Sequence, residues 1–406
     1  MQNLILFILL ILSSYLLSSQ EDKIDNSSRT LIEKLNRANN KNLIRGFSVA
    51  VVNDMETLFE KGFGFADVDS AKQYTSKTTQ PVASISKVLI GLSLIKAEEM
   101  NLLSLEEPVN KYLSFKVINP NYPNDEILIR HLAYHTSSII DKDEIYNSQF
   151  FLEDEIELQD NEAEDYYDFF KKASEKKSLK VYLENAFSSS VDDALPFANS
   201  KPGEIREYSN IGSDLCALII QNASKKDFRY FTVEHILNPL KMNNSSWRPE
   251  NIQSKNRSRL FVTNDTMIPN YVQGSYPNGS FRSSSHDLGI LLSELIRGYN
   301  GKGKVLSKEG YKRFYQKEKH DEEFYGCFIE YNNKWIRITD DMIGHDGSDP
   351  GVFTGMFFNP KRNTGKILIS NTDTDYIGEN KIYEEITMIW KSLIDYEIKL
   401  AKTTNK

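Results

Sequence analysis

Residues 84–92 read Ser84-Ile85-Ser86-Lys87-Val88-Leu89-Ile90-Gly91-Leu92. The apolar run predicts a helix starting near Ser84, which places Ser84 and Lys87, at i and i+3, on one face. Ser84 then lies at the helix N-terminus, where backbone N–H groups and the dipole favour developing negative charge. A lysine partly removed from water can lose its proton and act as base toward a hydroxyl. The same pair also reads as an N-capping serine beside a surface lysine. Ser-x-x-Lys recurs at Ser93–Lys96 and Ser174–Lys177, so the spacing decides nothing alone.

Downstream, Lys201-Pro202-Gly203-Glu204 makes a turn, followed by Tyr208-Ser209-Asn210-Ile211-Gly212 and an apolar helical run. A tyrosine near a lysine can serve as a base, and asparagine offers both a donor and an acceptor. By itself this is equally a core tyrosine beside a capping asparagine. Further on, Ile343-Gly344-His345-Asp346-Gly347-Ser348-Asp349-Pro350-Gly351 is a glycine-rich strand entry. Gly347 would let substrate approach the backbone, and the Ser348 N–H would point at an oxyanion. Taken alone it is an ordinary turn between strands.

The three elements in this order are far more specific than any one of them. The chain resembles the serine β-lactamase and penicillin-binding-protein superfamily, in its class C β-lactamase, D-aminopeptidase and esterase branch. Ile129-Arg130-His131-Leu132-Ala133-Tyr134-His135-Thr136-Ser137 and Gly279-Ser280-Phe281-Arg282-Ser283-Ser284-Ser285-His286-Asp287-Leu288 are similar to two further family segments. The resemblance covers about residues 28–400. It implies that Ser84 is the acylated nucleophile, with Lys87 and Tyr208 as the general-base system. It implies that Asn210 contacts substrate, that His345 and Gly347 form the third element, and that the Ser84 and Ser348 N–H groups form the oxyanion hole. Two departures stand out: Ser138 replaces the usual glycine after His-Thr-Ser, and His345 replaces the lysine that attracts a substrate carboxylate in lactamases.

The implied fold is α/β (α+β): an antiparallel sheet from both termini, flanking helices and an inserted helical domain. The runs 46–54 and 57–67 read as a hairpin, 351–358 and 366–370 as strands, and 27–39 and about 380–402 as amphipathic helices. The expected sheet part is about 28–75 and 290–400, and the helical part about 76–289. The expected function is a secreted serine hydrolase acting through an acyl-enzyme on peptide, ester or β-lactam bonds. The alternative is a non-catalytic binding or structural protein that keeps the fold.

Forty-nine Lys plus Arg against 57 Asp plus Glu give a net charge of −8, which argues against nucleic-acid binding. The charge is uneven. Residues 141–168 hold twelve acids and one base, and read as a solvated, partly disordered insertion, with an acidic lid or partner-binding surface anchored by Phe150-Phe151 and Tyr166-Tyr167 as the alternative. Leu4–Leu17 is too short to span a bilayer and suits a signal peptide over 1–20, with an uncleaved membrane anchor as the alternative. Seven Asn-x-Ser/Thr sequons (Asn26, Asn222, Asn243, Asn244, Asn256, Asn264, Asn278) accord with a secreted or lumenal glycoprotein. Cys216, in an apolar helical run, and Cys327, in a strand-like one, read as two buried free thiols, although export would let them pair. His131 and His135 fall at i, i+4 on an expected helix. Position 132 lacks the glutamate of a zinc motif, so no metal or cofactor is expected. The implied partner is a small-molecule or peptide substrate.

Overall fold

The structure, a computed structural model, describes residues 26–154, 170–188, 195–263, 265–320, 323–331, 342–374 and 380–404. The segment 1–20, expected to be a signal peptide, lies outside them. Among the described residues, nine strands form one sheet: β1 (Gly46–Asn53), β2 (Thr57–Asp67), β3 (Lys72–Gln73), β4 (Glu318–His320), β5 (Glu323–Gly326), β6 (Ile329–Tyr331), β7 (Ile343–Asp349), β8 (Val352–Asn359) and β9 (Thr364–Ser370). Their order is β4-β5-β6-β7-β8-β9-β1-β2-β3, so the first strand of the chain pairs with the last. Every neighbouring pair is antiparallel.

β1 is nearly all buried because both of its faces are covered. Phe47, Val49 and Val51 meet Leu31 and Leu35 of α1 (Asn26–Asn40) and Trp390 and Leu393 of α6 (Asn380–Thr404). Ala50 and Val52 face the helical side, where Leu288, Leu291 and Leu292 of α5 (Ser285–Tyr299) pack. The same core continues into α2 (Ser86–Glu99) and α4 (Asn210–Ser224). Helix α2 is apolar around nearly its whole circumference, which suits a helix enclosed within the lobe rather than lying on its surface.

Two local expectations are corrected. The run through Cys327 is not one strand: β5 ends at Gly326 and β6 starts at Ile329, with Phe328 at φ +51 turning the chain between them. Cys216 and Cys327 are both free and buried. His131 and His135 do not share a helix, because α3 (Ile129–Ala133) ends before His135, which sits at φ +57. Their rings instead cap backbone: His131 Nδ1 accepts from Leu128 N–H (3.2 Å) and His135 Nδ1 from Ser209 N–H (3.2 Å). Burial lowers the basicity of both, so these rings stay neutral acceptors.

Of the acidic stretch 141–168, residues 155–168 lie outside the described residues. In the first half Asp143, Glu144 and Asp154 are exposed, while residues 149–152 pack inward. Phe150 and Phe151 are buried in a strand pair with 271–273, and Glu153 meets both Arg257 and Arg282.

Candidate active site

Ala83 holds φ +47, a left-handed conformation that costs a non-glycine residue about 1–3 kcal/mol. The strained turn lies immediately before Ser84 and runs through a short 3-10 segment, Ala83–Ile85, into α2. Ser84 is therefore in the first turn ahead of the helix and half-buried. One turn on, Lys87 has no exposed surface. Its Nζ lies 3.0 Å from Ser84 Oγ and donates to the Asn278 carbonyl at 2.9 Å. Desolvation is the largest influence on this amine and brings its pKa down to about 8, against the pull of Asp214, Asp349, Asp141 and Glu330.

Tyr208 comes from the turn preceding α4. Its ring lies 5.1 Å from Lys87 Nζ and packs against the His135 ring at 4.7 Å between centroids, with the Ser84 hydroxyl close enough to act on the phenol. Burial pushes the phenol well above its ordinary range, so it enters the site protonated. The Ser-x-x-Lys and Tyr-x-Asn elements, 124 positions apart, thus converge beside the Lys87 amine.

β7 brings the third element. β6 pairs with only its first two residues, Ile343 and Gly344. From His345 onward the strand lies against the Ala83–Ile85 turn, and a Cβ at Gly347 would sit 2.5 Å from Ser84 N and 3.0 Å from Val82 O. Only glycine permits that approach. It sets the Ser84 N–H beside the 347–348 peptide, where the oxyanion hole is expected. The Ser348 hydroxyl points the other way, to Thr374 Oγ1 at 3.5 Å. His345 is buried, and burial lowers its pKa, so it is neutral near pH 7. Its Nδ1 contacts the Asp346 carbonyl at 2.5 Å. A carbonyl only accepts, so Nδ1 carries the proton and Nε2 presents a lone pair.

Asn210 is more constrained than a free substrate contact. Its Nδ2 and backbone N–H both donate to Asp141 Oδ2 (2.8 and 2.9 Å), while Ile211 N–H donates to Asp141 Oδ1 (3.0 Å). Asp141 therefore serves the α4 N-terminus as a cap. Ser138 takes the glycine-like φ of +60, and its hydroxyl accepts from Asn119 Nδ2 at 2.9 Å. A serine tolerates the position because that hydroxyl is held.

The structure adds residues that the sequence reading did not single out. Asn278 N–H and Nδ2 donate to Asp214 Oδ1 (3.0 Å) and Oδ2 (2.8 Å). Asp349 accepts from the Tyr146 hydroxyl (3.1 Å) and Gln273 Nε2 (3.2 Å), and burial raises its pKa. One signal for Asp214 was present: an acid inside the apolar run Ile211–Ile220. Asn278 had registered only as a sequon, yet it is buried with its amide committed. A separate cleft of about 640 Å³ is lined by Lys180, Arg229 and Arg248 among others, and by none of Ser84, Lys87 or Tyr208. Among the described residues no group of three or more His, Cys, Asp or Glu side chains could hold a metal ion, and no helix is long and apolar enough to cross a membrane.

The beta-lactamase family model matches residues 30–384. The chain is similar to Protein flp of Staphylococcus aureus strain MW2, 25% identical over 342 residues, covering 83% of this chain and 61% of that protein. It is similar to human serine beta-lactamase-like protein LACTB, mitochondrial, 26% identical over 300 residues, 63% of this chain and 54% of the relative. The chain thus spans about three-fifths of the length of the Staphylococcus relatives and about half that of the human one. Among solved structures, the octameric penicillin-binding protein homologue from Pyrococcus abyssi has a TM-score of 0.67 at 21% identity, covering 92% of this chain and 77% of that one. The penicillin binding protein from Bacillus halodurans has a TM-score of 0.63 at 17% identity, covering 88% and 98%. With the family match spanning most of the sequence and the fold shared with penicillin-binding proteins, the chain belongs to the beta-lactamase family.

Proposed function

We propose that this protein is a serine hydrolase that forms an acyl-enzyme on Ser84 and resolves it with water, acting on ester, peptide or β-lactam bonds. One observation carries the reading: Ser84 Oγ lies 3.0 Å from an amine that is fully buried and bonded to a hydroxyl and a carbonyl rather than to a carboxylate. In its neutral form Lys87 accepts the Ser84 proton as Oγ attacks the substrate carbonyl. The tetrahedral oxyanion is met by the Ser84 and Ser348 N–H groups. The proton passes from Lys87, with the Tyr208 hydroxyl adjoining, to the leaving group, and the bond to that group breaks. Water then adds to the acyl carbonyl and gives its proton to the same base, which returns it to Ser84 Oγ as the acyl C–Oγ bond breaks and the acid product leaves. The apolar leader at 4–17 supports export to a secreted or lumenal site.

A fluorophosphonate probe tests this. An adduct is expected on the peptide carrying Ser84, and Ser84→Ala should abolish it. An adduct on Ser86 or Ser93 would overturn the assignment. Ser86 is expected to be inert, since its hydroxyl is buried and donates to Ala83 O at 2.7 Å. Absence of any adduct, with no hydrolysis of acyl esters, would return the chain to a non-catalytic binding role.

A further inference from the structure

Lys87 can be a base only if its lone pair points at Ser84. A neutral amine has two N–H groups and one lone pair, so the direction of the lone pair is fixed by where the N–H groups go. One goes to the Asn278 carbonyl. That carbonyl belongs to a short 3-10 turn, Tyr276–Asn278, which has little regular structure to hold it. What holds it is Asp214: both carboxylate oxygens take N–H groups of Asn278, one from the backbone and one from the side chain. Ser275 Oγ accepts a further bond from Asn278 Nδ2 at 3.0 Å. Asp214 is completely buried on α4, among Leu215, Leu218 and Ile211 of the core. Burial raises the Asp214 pKa, and the Asn278 N–H groups and the Lys87 charge oppose that rise by favouring the carboxylate.

We infer that Asp214 is a positioning residue for the nucleophile's base: by gripping Asn278 at two points it fixes the carbonyl that orients Lys87 toward Ser84. The inference rests on the serine-hydrolase reading. The groups facing Lys87 come from every side: Asp214 from α4, Asp349 and His345 from β7, Glu330 from β6, His135 and Asp141 from the segment after α3, and Tyr208 from the segment before α4. Asp214 is alone among the carboxylates in also holding Lys87's hydrogen-bond acceptor.

The effect on pH has a definite sign. A carbonyl accepting from Lys87 and a nearby carboxylate both favour the ammonium form. Losing either makes the amine easier to deprotonate, so the acid limb of the rate profile should move to lower pH while the plateau falls. Asp214→Asn offers Asn278 one acceptor where two are needed and sets an amide NH₂ against an N–H donor. Asn278→Ala keeps the backbone carbonyl and removes one of the two anchors.

The test is the second-order rate of fluorophosphonate labelling from pH 5 to 10. Asp214→Asn should lower the plateau at least tenfold and move the acid limb down by half a unit or more. Asn278→Ala should move it the same way by less, and serves as the readout if Asp214→Asn does not fold. Variants that lose only thermal stability, with plateau and limb as in the wild type, would make Asp214 a purely structural acid and overturn the inference. Failure of the wild type itself to label at Ser84 would instead refute the proposed function.

Discussion

Among the described residues two lysines, Lys87 and Lys366, have no exposed surface, and they are buried in opposite ways. Lys366, on β9 where the sheet meets α6, lies 2.5 Å from Glu397, with Arg362 3.9 Å from the same carboxylate and the Trp390 ring 5.3 Å from its Nζ. Lys87 has a hydroxyl and a carbonyl, and its carboxylates stand farther off. Burial lowers the pKa of both amines. At the seam the ammonium is answered by a full charge in contact, which keeps it an ion and makes it a structural tie. In the cleft it is answered by dipoles, which hold the nitrogen in place without holding its proton. A buried lysine is a base when its partners fix its position and leave its charge only loosely compensated.

The comparison breaks most easily by removing each amine. Lys87→Ala should lower fluorophosphonate labelling by about 10³-fold, within the usual range for loss of a general base, while the fold survives. Lys366→Met should leave labelling per folded molecule unchanged and strand Glu397 in the core. That costs about 3–5 kcal/mol, or roughly 6–20 °C in melting temperature, with Arg362 keeping the loss toward the lower figure. Pairing Lys366→Met with Glu397→Leu should recover most of the stability. If Lys87→Ala labelled like the wild type, the difference between the two burials would have no chemical consequence.

The second prediction concerns pH. Only the neutral amine accepts the Ser84 proton, and Lys87 has its pKa brought down to about 8. Labelling should therefore rise close to tenfold per pH unit up to about pH 8 and level off above it. A limb that kept rising to pH 10 would mean that Lys87 is an ordinary lysine and that burial does not distinguish the cleft. A third change acts on geometry alone. Gly347→Ala places a methyl 2.5 Å from Ser84 N, so β7 or the Ala83 turn must move. A displacement of about 1 Å at such a centre costs about 10²-fold in labelling rate, read per folded molecule because the overpacking also costs about 1–3 kcal/mol of stability.

How much of this was legible in the sequence follows from the range of each interaction. The hairpin 46–67, strands 352–370 and the terminal helices announce themselves because alternation and helical period are local. Ser84, Lys87, Tyr208 and His345 were found because their motifs are short and ordered, although nothing local says that Tyr208 meets Ser84 across 124 positions. Asp214, Asn278 and Asp349 were passed over because each is defined by a partner from another element: Lys87 for Asn278, Asn278 for Asp214, Tyr146 and Gln273 for Asp349. Asp141 looked like one more acid in a solvated run, yet it caps α4. Charge counts report composition, and burial decides which of those charges are structural.

The smallest predicted effect introduces a third buried lysine and asks which kind it becomes. His345 is neutral, holds its proton on Nδ1 and offers a lone pair at Nε2, so it has no charge with which to draw a substrate carboxylate. Asp346 and Asp349 on the same strand disfavour such a group further. Wild-type protein should therefore hydrolyse neutral acyl esters or amides in preference to carboxylate-bearing penicillins. His345→Lys would put an ammonium near Lys87 and Arg206, with Glu330 as the nearest compensation. Without a carboxylate in contact it would resemble Lys87 more than Lys366. It should lower the Lys87 pKa further by like-charge repulsion and, when charged, attract a carboxylate substrate. The ratio of kcat/KM for a carboxylate-bearing over a neutral substrate should rise about tenfold, about 1.4 kcal/mol of differential transition-state binding. Efficient penicillin turnover by the wild type with no activity on uncharged esters would show that the neutral histidine does not set this preference. An unchanged ratio in the variant would mean that the new amine had found Glu330 and become a second structural tie.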